Sequence, residues 1–208
     1  MTPAAAAPVP EDASPKELRA AAPSCRACPL WKPATQVVFG EGNQGARLVL
    51  VGEAPGDRED QEGRPFVGPA GRELARGLEA AGIDRDEAYV TNAVKHFKFE
   101  ERGKRRIHQK PNARETKACR PWLDAELDVV APDALVALGA TAAQALLGRD
   151  FKVSRMRGEL VDSDLAPLVS ATIHPSAILR TRDDRDQERE RFADDLAVVA
   201  KALSSLDR

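Results

Sequence analysis

Four short apolar runs punctuate the chain: Arg47–Val51, Ala88–Val94, Ala134–Leu138 and Leu168–Ile173. None alternates cleanly between apolar and polar residues, and turn signals bound each of them. That is the pattern of strands buried on both faces of a parallel sheet. Stretches with helical periodicity fall between the runs. Gly71–Ala81 places Leu74 and Leu78 on one face, and Ala113–Val130 carries a stripe of Trp122, Leu123, Leu127 and Val130. Thr141–Leu147 is short, Asp186–Leu203 turns Phe192, Leu196, Val199 and Leu203 inward, and Pro15–Ala22 begins a helix ahead of the first strand. Strands alternating with helices predict an α/β domain with a mainly parallel sheet.

A polar or glycine-rich segment follows every predicted strand. These are Gly52–Gly56 after the first, Asn92–His96 after the second, Gly139–Ala143 after the third and His174–Ser176 after the fourth. Ligands of open parallel sheets sit at the carboxyl ends of strands, so the four segments are expected to converge on one edge. The longest, Gly52–Arg72, holds glycines, prolines and acidic residues, with helical pattern resuming at Glu73. It reads either as a long surface turn or as a loop that builds a site on a rigid scaffold.

Composition narrows the class. The 208 residues suit one packed domain, expected over 15–208, after an Ala/Pro-rich stretch 1–14 that is expected to be disordered. Lys+Arg total 31 against 33 Asp+Glu, so overall charge does not point to nucleic acid and any such signal is local. The N-terminus lacks a basic region followed by an unbroken apolar core, and no apolar run nears the ~18 residues of a membrane span. Three cysteines cannot make a complete disulfide set. The expectation is a soluble, intracellular, cytoplasmic monomer without membrane contact.

Two clusters carry candidate chemistry. Cys25 and Cys28 form a C-x-x-C pair, and Cys119 is the third thiol. A fourth metal ligand must come from elsewhere, and His96 closes the segment after the second strand. Spacing leaves structural zinc, the default for three thiolates and an imidazole, and iron–sulfur ligation both open, beside three unconnected reduced cysteines. The second cluster lies between His96 and Pro111. It crowds Lys98, Arg102, Lys104, Arg105, Arg106 and Lys110 around Phe97 and Phe99, and includes His108. Crowded cations with interleaved aromatics suit phosphates and bases, and the plain alternative is a solvated loop.

The segment GEAPGDREDQEGRPFVGPAGR at 52–72, with HPS at 174–176, resembles the uracil-DNA glycosylase superfamily. C-x-x-C at 25–28 and ACRPWL at 118–123 are similar to its iron–sulfur branch, family 4. His96, where that family usually has a third cluster cysteine, and KRRIH at 104–108 resemble UdgX, a subfamily that stays covalently attached to the abasic site. Members of that subfamily usually carry Gln third in the first motif. Here Ala54 stands there, as in family 4.

The resemblance implies a three-layer α/β/α sandwich around a four-stranded parallel sheet. It implies a [4Fe–4S] cluster on Cys25, Cys28, His96 and Cys119, in place of zinc. Uracil-containing DNA, single-stranded or also double-stranded, is the implied partner. A base to be excised must leave its stack. In the uracil pocket Phe66 would stack on the ring, Asn92 would read its O4/N3 edge, and Gly52 and Ala54 would supply backbone. His174 would donate to O2, where charge grows. Glu53 is the first choice for the carboxylate facing the oxocarbenium-like sugar, with Asp57 and Asp60 behind it. His108 would attack C1′ where ordinary glycosylases use water, with Glu53 orienting the proton on its other nitrogen. Lys104, Arg105, Arg106, Ser176 and Arg180 would meet DNA, with Arg106 and its neighbours holding either the loop or the phosphates. The competing expectations are a family-4-type hydrolase that releases abasic DNA and a non-catalytic module that binds uracil or abasic DNA.

Overall fold

The computed structural model describes residues 8–206. In chain order its elements are α1 (Pro15–Ala21), β1 (Glu41–Gly42), β2 (Leu48–Gly52), α2 (Asp57–Glu62), α3 (Pro69–Ala80), β3 (Tyr89–Asn92), β4 (Phe99–Arg102), β5 (Arg105–His108), α4 (Ala113–Val130), β6 (Ala134–Leu138), α5 (Ala140–Leu147), α6 (Val153–Met156), β7 (Leu160–Val161), β8 (Leu168–Thr172), α7 (Pro175–Arg180) and α8 (Arg185–Ser204).

The main sheet runs β1-β3-β2-β6-β8-β7. Its four central strands are parallel, in register through Leu50↔Val90, Val49↔Leu135 and Val136↔Ser170. The short outer strands β1 and β7 pair antiparallel with β3 and β8. The central strands are those the apolar runs predict. Every residue of β2, β3 and β6 is buried, which is why their sequences do not alternate. Helices cover both faces. Leu74 and Leu78 of α3 pack with Phe192, Leu196 and Val199 of α8 against Leu50 and Val136. Leu123, Leu127 and Val130 of α4 pack with α5 against Val49 and Val51 on the other face. Trp122 departs from the rest of its stripe and joins a third cluster with Leu18, Leu30, Phe39, Val94, Cys25 and Cys119.

Two expectations are corrected. The long turn after β2 contains a helix, α2, and α3 starts at Pro69 and not at Glu73. Proline fits that first helical position because the N–H it lacks there has no helical partner. The basic loop is a β-hairpin, with Phe99 opposite His108 and Arg102 opposite Arg105 around Gly103 (φ 61°). Of the tail expected to be disordered, residues 1–7 lie outside the described residues, while Val9 and Ala13 pack against the third cluster. Ser14 forms a reciprocal capping box with Glu17 that starts α1.

A buried polar network fixes the end of β3. Lys95, 1% exposed, donates to Thr91 Oγ1 at 2.6 Å, to the Asn92 carbonyl at 2.8 Å and to Glu126 of α4. Glu126 also accepts from Gly40 N, Tyr89 Oη and Thr91 Oγ1 at 2.8–2.9 Å. Each charge is thus paired and further hydrogen-bonded, as charges held away from water require.

Candidate active site

The strand-end segments do meet. A pocket of about 460 Å³ at the carboxyl ends of the central strands is lined by Glu53, Ala54, Asp57, Phe66, Asn92, His108, His174, Ser176 and Arg180, among others. Gly52 lies against two of these side chains. A Cβ there would stand 2.4 Å from Asn92 Oδ1 and 2.6 Å from Phe66 Cζ, so only glycine leaves room for both side chains.

Phe66 reaches the pocket from a left-handed backbone, φ 56°, which costs on the order of 1–3 kcal/mol for a non-glycine residue. The surroundings hold it. The buried Glu59 accepts from Gly68 N at 2.8 Å, and a Cβ on Gly71 would lie 1.7 Å from the Phe66 carbonyl oxygen. Phe66 faces His174 nearly parallel, ring centroids 6.1 Å apart.

The tautomer of His174 follows from its neighbours. Ser176 N donates to Nδ1 at 3.2 Å, and Ser176 Oγ sits 2.8 Å from the same nitrogen while accepting from Arg180 at 3.0 Å. Nδ1 is therefore the acceptor, and in the neutral ring the proton resides on Nε2. Burial pushes the His174 pKa down to about 4, and the charges of His108 and Arg180 act in the same direction. The ring thus presents a neutral N–H donor near pH 7. Ser176 and Arg180, expected to contact DNA, here position this histidine.

Glu53 is held on one side by Thr141 Oγ1, which donates to it from the first turn of α5. On the other side His108 Nε2 stands 3.6 Å from Glu53 Oε1. Burial lowers the His108 pKa below the ordinary histidine value, Glu53 opposes that shift and Arg180 adds to it. A neutral imidazole and a carboxylate therefore flank one side of the pocket. Thr141 was not among the residues singled out from sequence. Its signal was the Gly139–Ala143 segment, recognised only as a whole.

Arg106 does not extend toward solvent. It donates to Asp57 Oδ1 and Asp60 Oδ2 at 2.6 Å each and to Thr35 Oγ1 at 3.1 Å. Its guanidinium also lies over Phe97 and Phe99, 5.3 and 5.0 Å from their centroids. It straps the hairpin to α2. Asp60, fully buried, accepts from Thr35 N as well, so it braces the loop and does not line the pocket. Lys104 and Arg105 at the hairpin tip are exposed.

The four expected cluster ligands line one small cavity, together with Lys95 and Trp122. Cys25, His96 and Cys119 are buried, and all three cysteines are free thiols. Among the described residues no three His, Cys, Asp or Glu side chains close on a point as ligands of a single ion. The donors border a chamber, and their chemistry, three thiols and an imidazole, suits a multinuclear iron–sulfur centre whose irons take one protein ligand each. Lys95 N donates to Cys119 Sγ at 3.2 Å, and Trp122 Nε1 is a buried donor with no partner. Burial pushes the Cys119 thiol up to about 12.

A family model described as the uracil DNA glycosylase superfamily matches residues 39–197. The chain belongs to that superfamily. The match spans every strand of the main sheet and takes in the whole pocket lining. The chain is 41% identical over 161 residues to a type-4 uracil-DNA glycosylase of Thermotoga maritima, covering 77% of this chain and 80% of that protein. It is 35% identical over 188 residues to a type-4 uracil-DNA glycosylase of Sulfurisphaera tokodaii, covering 86% and 82%. To a type-5 uracil-DNA glycosylase of Pyrobaculum aerophilum it is 32% identical over 155 residues, covering 66% and 64%. The superfamily's α/β fold, with a mostly parallel sheet and flanking helices, is the one described above. Among the described residues no helix is long and apolar enough to cross a membrane.

Proposed function

We propose that this chain is a uracil-DNA glycosylase acting on a uracil turned out of the DNA stack. One observation carries the reading. A neutral His174 with its proton on Nε2, the Phe66 ring, the Asn92 amide and the Glu53 carboxylate share one pocket at the strand ends. In this reading uracil stacks on Phe66 and the Asn92 amide pairs with the O4/N3 edge. Cytosine presents the opposite donor pattern there and would leave the buried amide unpaired. As the N1–C1′ bond breaks, its electron pair moves onto the base and charge gathers at O2. His174 Nε2–H stabilises it without giving up its proton. Glu53, fixed by Thr141, faces the positive charge that develops on the sugar.

The type-4 relatives support hydrolysis as the second half of the reaction: water adds to C1′ and abasic DNA is released. The 3.6 Å approach of His108 to Glu53 favours a second reading in which an imidazole nitrogen adds to C1′ and the protein remains attached. We further propose that Cys25, Cys28, His96 and Cys119 hold a [4Fe–4S] cluster. When bound it would serve structurally, tying the segment after α1, the end of β3 and α4 behind the pocket.

A single-stranded oligonucleotide containing one uracil tests these readings on a denaturing gel. Abasic product without a shifted band supports hydrolysis, and a shifted band that survives SDS and heat supports attachment. Loss of that band in His108→Ser assigns the nucleophile. Intact uracil despite retention on a native gel would overturn the glycosylase reading in favour of a binding module.

A further inference from the structure

A second concavity, about 490 Å³, lies beyond α2 from the uracil pocket, lined by Arg19, Arg26, Trp31, Thr35, Gln36 and Gly63 among others. The Arg26 guanidinium sits 4.2 Å from the Trp31 ring centroid, and its Nη1 donates to the carbonyls of Pro23 and Cys25 at 2.8 Å each. The guanidinium is therefore backed by an indole and pinned by two carbonyls. Lys32 Nζ stands 6.0 Å from the same ring. Among the described residues neither Arg19, Arg26 nor Lys32 has a carboxylate within 4.0 Å, in contrast to Arg47, Arg64, Arg106, Arg157 and Arg189. A cationic, aromatic-backed plane that is already immobilised suits an unstacked base and its phosphate, since little ordering remains to be done on binding.

The position matters as much as the chemistry. Thr35 lines this groove while its hydroxyl accepts from Arg106, which also binds Asp57 at the edge of the uracil pocket. The uracil pocket is thus lined by residues at the start of α2 and the second concavity by Gly63 just past its end, across a helix whose six residues span about 9 Å at 1.5 Å per residue. We infer that the Arg26–Trp31 groove is a subsite for the single-stranded DNA flanking the excised nucleotide. A base stacks on the Arg26–Trp31 platform and its phosphate lies between Arg19 and Lys32. The inference rests on the glycosylase reading for its role, and its test does not.

The test is binding of a fluorescently labelled, uracil-free single strand to the full-length protein, followed by anisotropy across a salt series. Trp31→Ala should weaken binding about tenfold, within the range of one base–aromatic stack. Trp31→Phe should restore most of that loss. Lys32→Gln should reduce the slope of log K against log salt by about one phosphate contact. Circular dichroism and visible absorption that match the parent protein establish that each variant is folded. Folded Trp31→Ala and Lys32→Gln variants that bind the strand as the parent does would overturn the subsite, while uracil excision by the parent would leave the glycosylase reading standing. If the parent excises no uracil yet Trp31→Ala still weakens strand binding, the subsite stands and the glycosylase reading falls.

Discussion

Replacing Thr141 with valine keeps the shape of the side chain and removes the hydroxyl that donates to Glu53. The residue is 8% exposed, so water has little access to replace it. A hydrogen bond to a charged group contributes about 1.5–3 kcal/mol. If half or more of that is needed to keep Glu53 aimed at the sugar in the transition state, excision slows about 4–160-fold. Thr141 lies outside the set that lines the pocket, so ground-state affinity should hardly change. Single-turnover excision of a uracil-containing single strand, measured across protein concentrations, separates the two effects. The expected result is a lower maximal rate at an unchanged half-saturation concentration, with Thr141→Ser recovering most of the rate. A Thr141→Val protein with the parent rate would refute the claim that this hydroxyl positions the carboxylate. So would a loss confined to half-saturation.

Other perturbations reach different parts of the molecule. Arg106→Ala leaves the fully buried Asp60 without its cation, a change of about 3–5 kcal/mol for a broken buried pair, and limited trypsinolysis should cut at Lys104 and Arg105 faster than in the parent. Glu126→Ala strands the buried Lys95; a similar loss, at about 2–4 °C per kcal/mol, should lower the melting temperature by roughly 10 °C in a thermal scan. His174 takes up its proton near pH 6.5 when unfolded and near pH 4 when folded, so the unfolded state binds more protons between those values. Its stabilising contribution is complete above pH 6.5 and lost as pH falls toward 4, amounting to about 3 kcal/mol that urea titrations should find in the parent and not in His174→Asn. Cys119→Ala should abolish visible absorption near ~400 nm if an iron–sulfur centre is bound; a parent protein that is colourless and carries zinc would return the site to that metal.

The strands and the major helices were legible because each is long enough to show its period. Ala134–Leu138 and Ala113–Val130 even end where the sequence places them. The convergence at the strand ends was legible too, since topology alone brings those segments together. What the sequence hid was local and polar. Six residues of α2 are too few, and too acidic, to show an amphipathic stripe. The hairpin strands are mostly exposed on both faces, so no apolar alternation marks them. Holding the loop was one of two roles expected of Arg106, and only three-dimensional proximity supplies the partners, Asp57 and Asp60, that make it a strap. Thr141 was hidden because a hydroxyl beside a helix start reads as ordinary capping. His108 and Glu53, 55 positions apart in the chain, stand 3.6 Å apart in the fold.

The hairpin leaves the body of the protein and returns to it at a single point, where Gln109 N donates to the Lys98 carbonyl at 2.8 Å. Its two strands pair only with each other, and no strand of the main sheet depends on them. A two-stranded ribbon has little stability alone, so its bearing comes from Arg106 and the aromatic rings beneath it. Its exposed tip, at Lys104 and Arg105, can be lengthened, shortened or exchanged without disturbing the main sheet. The histidine at its end is thus carried into the pocket by a part that the main sheet does not need for its own pairing, and it is the Arg106 strap to the buried Asp60 that gives this part its bearing.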